Sequence, residues 1–139
     1  MNRNELKKIM PHRDPMLLLD EATRIEENKG IAKYEVRGDE FFLQGHFPGN
    51  PIVPGVIQCE MMAQSCAVLF ESEGGFTPLF TGIKECKFKR PVKPGDVLEI
   101  HAEITKAKPP FYFAKARVLV DGALASQAEI SFALVDTDV

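Results

Sequence analysis

Hydrophobic positions recur along this chain with a period of two, except over one stretch where they fall on nearly every side. Ala32, Tyr34 and Val36 alternate with Lys33, Glu35 and Arg37, which predicts a strand with one buried and one wet face. Residues 16–25, mostly apolar and rich in branched side chains, predict the strand before it, with Asn28-Lys29-Gly30 as the turn of a hairpin. Later strands are expected at 79–89, 97–106, 111–120 and 123–135, the last two joined by the hairpin signal Asp121-Gly122. The exceptional stretch runs from Val56 to about Phe70. It holds Ile, Met, Ala, Gln, Val and Leu with no proline or glycine, apolar all round, and predicts a buried helix. Residues 71–75, ending in Gly74-Gly75, are expected to close that helix with a left-handed cap. Residues 4–10 predict a turn or two of amphipathic helix stopped by Pro11. The pattern as a whole predicts an α+β fold, one antiparallel sheet wrapped around one long central buried helix, in a single domain over 1–139. A helix apolar all round also needs cover on its far side, and a second subunit is the simplest cover.

Between the hairpin and the helix lies the segment 45–55, GHFPGNPIVPG. Each proline fixes its own φ and pushes its predecessor away from helical geometry, so Phe47, Asn50 and Val53 are expected to be extended and the arm stiff. Pro54-Gly55 marks the helix entry. Glu60 is the one acid of the helix before Glu71, and Gln64 follows it one turn later on the same face. From these residues alone Glu60 reads equally as an acid near the positive end of the helix dipole, wetted by solvent, or as a carboxyl with a task.

Composition narrows the classes. The length suits one domain, and 45% hydrophobic with 27% charged residues is ordinary for a soluble globular protein. A net charge of −3 argues against general nucleic-acid binding. The N-terminal ten residues contain no apolar run of signal-peptide type, so the expected location is cytoplasmic with no membrane span. Cys59, Cys66 and Cys86, odd in number and without CxxC spacing, read as reduced core residues. No two of His12, His46 and His101 have a zinc spacing, and no metal site is expected; His101 reads as a solvated residue of a strand's polar face and His12 as a structural turn residue. There is no GxSxG and no glycine-rich phosphate loop. Between Lys84 and Lys93 five basic residues, Lys84, Lys87, Lys89, Arg90 and Lys93, face one acid, Glu85. A charged sheet edge that discourages aggregation accounts for such a strip.

Read as a string, 45–64, GHFPGNPIVPGVIQCEMMAQ, closely resembles the signature of the β-hydroxyacyl-acyl-carrier-protein dehydratases of type II fatty acid synthesis, a hot-dog-fold family. The fourteen-residue spacing of His46 and Glu60 agrees. The segments 11–20, PHRDPMLLLD, and 87–96, KFKRPVKPGD, are similar to the same family, so the likeness spans most of the chain. The family usually has aliphatic residues where this chain has Gln58 and Cys59, and Phe where it has Met16, which bears on acyl-pocket shape and chain-length preference.

The resemblance implies dehydration of a (3R)-3-hydroxyacyl chain carried on acyl carrier protein to the trans-2-enoyl thioester, in fatty acid biosynthesis and without a cofactor. His46 would be the base for the C2 proton and Glu60 the acid for the C3 hydroxyl. The backbone N–H of Gly55, at the positive end of the helix, would meet the thioester oxygen, and Gln64 would orient Glu60. A dimer is implied in which His46 and Glu60 of one site come from different chains, often assembled into a trimer of dimers. In this context the basic strip would steer the acidic carrier protein. The rival readings are another hot-dog enzyme, a dehydratase that also isomerises the double bond or an acyl thioesterase, and a non-catalytic acyl-binding domain. Isomerising relatives typically carry Asp where Glu60 stands, and a non-catalytic domain would lose the acid and base.

Overall fold

The computed structural model describes residues 1–70 and 76–136, so the expected glycine cap at 71–75 lies outside the described residues. Among these, helix α1 (Arg3–Leu6) precedes the strands β1 (Glu21–Glu26) and β2 (Lys29–Glu35), helix α2 (Gly55–Ser65), and the strands β3 (Phe76–Phe88), β4 (Val97–Lys108), β5 (Phe111–Val120) and β6 (Ala123–Asp136). The strands form one antiparallel sheet in the order β1-β2-β4-β5-β6-β3. The chain therefore crosses from β2 through α2 to the far edge of the sheet before filling its middle.

The alternation of the sequence is the alternation of burial. Leu98 and Ile100 of β4, Val118 of β5 and Ile130 of β6 point inward onto Met61 and Met62 of α2, and all six are essentially inaccessible. Burial of each such side chain contributes about 1.5–3 kcal/mol. One curved sheet around one helix is the hot-dog fold, as expected.

The expected helix is helical to Leu69, but its last part tightens. After Ser65 the chain passes into a 3₁₀ turn at Ala67–Leu69. Ser65 Oγ donates to the Met61 carbonyl at 2.7 Å and Cys66 Sγ to that of Met62 at 3.6 Å, and such side-chain competition loosens α-helical bonding. Nor is the helix covered all round within one chain: Val56 is 76% exposed.

Two other expectations are corrected. Residues 16–19 are not strand, because side chains take their backbone groups. Arg3 donates to the carbonyls of Leu17 and Leu19, and Gln64 Oε1 accepts from Leu18 N–H. The arm is not extended throughout: Phe47 has φ +53° between glycines 45 and 49, also at positive φ, and Asn50 N–H closes a turn on the Phe47 carbonyl at 2.9 Å. Pro48 bars Phe47 from the right-handed helical region, and the left-handed one was still open to it. Phe41–Leu43 forms a 3₁₀ turn leading into this arm.

Candidate active site

The site begins with the first two turns of α2. Gly55 opens the helix, with Pro54 as its N-cap, and its N–H is among those left free at a helix start. Five residues on, Glu60 turns its carboxyl into a cavity of about 70 Å³. The polar end of that cavity is His12, Glu60 and Gln64, and its walls include Ala63, Phe70, Phe80 and Phe132. Phe70 meets Tyr112 and Phe132 edge-on, with ring centroids 4.7 and 5.9 Å apart, which gives the apolar end a rigid aromatic lining.

The carboxyl is held from one side. Gln64 Nε2 donates to Glu60 Oε2 at 3.0 Å and to the Met16 carbonyl at 2.8 Å, and Gln64 Oε1 accepts from Leu18 N–H at 2.9 Å. This amide is anchored at both ends to the N-terminal segment, so its direction towards Glu60 is set by backbone. His12 Nε2 lies 3.4 Å from the same Oε2, while His12 Nδ1 is buried without a described partner. Sequence reasoning placed His12 in a turn and missed this contact. The signal available was that 11–20, where His12 sits, shares the family's pattern and has an apolar run that needs a surface to pack on.

His46 is elsewhere in the chain's own geometry. Its Nδ1 lies 2.8 Å from the Ile52 carbonyl, and its ring rests against Phe47 with centroids 4.3 Å apart. A carbonyl only accepts, so neutral His46 carries its proton on Nδ1 and leaves the lone pair of Nε2 free. None of the described contacts joins His46 to Glu60, and His46 is not among the residues lining the Glu60 cavity.

The remaining candidates fall outside the cavity. Gln58 and Cys59, where the sequence departs from the family pattern, do not line it either. Gln58 is buried and satisfied by Ser126 Oγ at 2.6 Å and the Val53 carbonyl at 3.3 Å, and Cys59 faces Cys86. Their departure therefore alters the seam between helix and sheet. Lys84 lies on β3 with Glu129 at 3.8 Å, Lys87 follows on the same strand, and Lys89, Arg90 and Lys93 continue into the exposed segment after it. His101 is half-buried and 2.6 Å from Glu99, so it is paired on its strand and not simply solvated.

Residues 22–128 match the family model of the ApeI-like dehydratases. Among curated proteins, the 3-hydroxyacyl-[acyl-carrier-protein] dehydratase FabZ of Clostridium beijerinckii is 47% identical, over 96% of this chain and 99% of that one. The FabZ of Staphylococcus aureus is 44% identical over 96% and 94%. Among solved structures, the dehydratase heterocomplex ApeI:P of Xenorhabdus doucetiae superposes with a TM-score of 0.83 at 18% identity, covering 96% of this chain and 92% of that one, a likeness of fold. The chain thus belongs to the 3-hydroxyacyl-[acyl-carrier-protein] dehydratase family.

Proposed function

We propose that the protein removes water from a 3-hydroxyacyl chain borne on acyl carrier protein, with Glu60 and Gln64 of one chain and His46 of a second chain at each site. The observation that carries this reading is the Glu60 carboxyl at the polar end of an aromatic-lined cavity, oriented by an amide that is itself tied to backbone. The apolar walls suit an acyl chain, whose reacting carbons then lie by the carboxyl, and the space within one chain, about 70 Å³, needs a second copy to extend it.

His46 Nε2 takes the C2 proton, and the electron pair moves into the thioester, whose oxygen is met by the Gly55 N–H. The pair returns to form the C2–C3 double bond as the C3–O bond breaks, and Glu60 gives its proton to the leaving hydroxyl. One water is released, and the proton gained by His46 returns to Glu60 through solvent. With Oε2 occupied by Gln64, Oε1 is the oxygen left to face the substrate. None of these steps calls for an external cofactor.

A second copy of the chain is proposed on two grounds. His46 and Glu60 do not meet within one chain, and β3, at the sheet edge, exposes Phe76, Leu79, Phe80, Ile83 and Phe88 beside the uncovered Val56. A dimer joined along this edge covers both, and assembly into a trimer of dimers extends the same proposal. No helix among the described residues is long and apolar enough to cross a membrane, and the reading places the enzyme in the cytoplasm with its carrier.

The test is incubation with 3-hydroxyacyl carrier proteins of graded chain length, following enoyl formation. Turnover that disappears in both His46→Ala and Glu60→Gln supports the reading. Release of free carrier thiol in place of enoyl product would favour a thioesterase and overturn it.

A further inference from the structure

The carboxyl assigned as the acid has a second neighbour that the proposed steps leave without a task. His12 Nε2 lies 3.4 Å from Glu60 Oε2, the same oxygen to which Gln64 Nε2 donates at 3.0 Å. At that distance the His12 contact is electrostatic, longer than a good N–H···O bond. Both neighbours are held by one stretch of backbone. Arg13 donates to the carbonyls of Lys7, Met10 and His12 at 3.0, 3.0 and 2.7 Å, and its own carbonyl accepts from Met16 and Leu17 N–H at 2.7 and 3.0 Å. The turn that carries His12 is thereby closed on both sides. Gln64 is tied to the residues that follow, through the Met16 carbonyl and Leu18 N–H. Residues 12–18 thus fix two groups beside Oε2, while no described contact reaches Oε1.

The hydrogens follow from these partners. A proton on Oε2 would set the Gln64 N–H against a hydroxyl. It would also drive His12 to the tautomer whose Nδ1–H is buried with no acceptor among the described residues. A proton on His12 Nε2 avoids both, since Oε2 then accepts twice and only a lone pair is left unmatched at Nδ1.

We infer that His12 is a positioning residue of the dehydration, the second of two donors that keep the acidic proton of Glu60 on Oε1, the oxygen facing the substrate. Its effect is greatest during the reaction. As Oε1 gives its proton to the departing C3 hydroxyl, negative charge develops over the carboxylate, and donors already beside Oε2 stabilise that charge more than they stabilise the neutral acid. His12 therefore acts on kcat and hardly on KM. His12, Glu60 and Gln64 all belong to one chain, so the arrangement needs nothing from the second copy that supplies His46. This role rests on the assignment of Glu60 as the acid.

The experiment measures kcat, KM and Tm of His12→Gln, His12→Asn and His12→Phe proteins on a 3-hydroxyacyl carrier protein, with Glu60→Gln beside them. Glutamine can present an N–H where Nε2 stood, asparagine reaches only as far as Nδ1, and phenylalanine keeps a ring without a donor. His12→Phe and His12→Asn are expected to lose about ten- to a hundredfold in kcat, as for one donor to a charged group, with KM within about twofold and Tm nearly unchanged. His12→Gln should recover most of that loss. Equal losses in all three, ordinary kcat in His12→Phe, or losses that follow Tm would overturn the inference, and an inactive Glu60→Gln would then leave the dehydratase reading standing. Ordinary turnover in Glu60→Gln would overturn that reading and the role of His12 with it.

Discussion

Gln64 holds three partners with one amide, and two of them are backbone groups of residues 16–18. Gln64→Ala should therefore cost about 1–3 kcal/mol of stability through the unpaired Leu18 N–H and Met16 carbonyl, and should also lower kcat by loosening Glu60. Denaturant midpoints and turnover measured together check both parts. Glu60→Gln keeps shape and loses only the acidic proton, so a large fall in kcat with stability unchanged or slightly raised is expected. His46→Ala should lose about 10²- to 10⁴-fold in rate with the fold retained, because His46 stands on the arm and not in the core. A folded variant with ordinary turnover would refute either role. The Glu60–Gln64 contact was legible as a spacing of four on one helix. His12 was not, because its meeting with Glu60 depends on how an irregular segment lies across α2, and irregular backbone leaves no period in the sequence.

Among the elements, β2, β4, β5 and β6 were legible because each alternates a buried with a more exposed face, and the sequence pattern reports that directly. Residues 16–19 misled because an apolar run shows only that burial is wanted. Here Arg3 and Gln64 supply the backbone partners that a sheet would otherwise supply. The turn after β2 depends on Glu40, which accepts from Arg37 N–H at 2.9 Å, Gly38 N–H at 2.7 Å and Tyr34 hydroxyl at 2.8 Å. Burial works against its charge, but these donors outweigh it and hold its carboxyl below the usual carboxylate range. Its stabilisation is therefore fully present above that range and is lost as pH falls through the lowered value. Urea midpoints should show wild type ahead of Glu40→Gln at neutral pH and the gap narrowing in acid; a gap constant with pH would refute this. At the other end of the sheet, reversing Lys87, Lys89 and Arg90 to Glu should raise KM for the carrier-bound substrate, with wild-type activity weakening as salt rises. Turnover of a small thioester without the carrier should hardly change, and equal losses on both would point to misfolding.

For the whole molecule, the proposed division of His46 and Glu60 between two chains can be tested by mixing. His46→Ala and Glu60→Gln proteins, each inactive, should regain activity after dissociation and reassembly. About half of randomly formed dimers are mixed, and each has one complete site of two, so recovery should approach about one quarter of wild type. A mixture that stays inactive although mass shows exchange would mean that each chain builds its own site. The sheet-around-helix plan was legible from the order of the elements. The open edge was not, because β3 follows α2 in sequence yet lies beyond β6 in space.

If the proposed dimer holds the site, that edge makes catalysis a matter of mass action. A lone chain leaves Phe76, Leu79, Phe80, Ile83 and Phe88 in water and holds the proposed acid apart from the proposed base. In the proposed dimer, turnover per chain should be constant at high concentration and decline on dilution below the dissociation constant. Heating a concentrated solution exposes the opposite hazard, since strands uncovered in company pair between chains and precipitate.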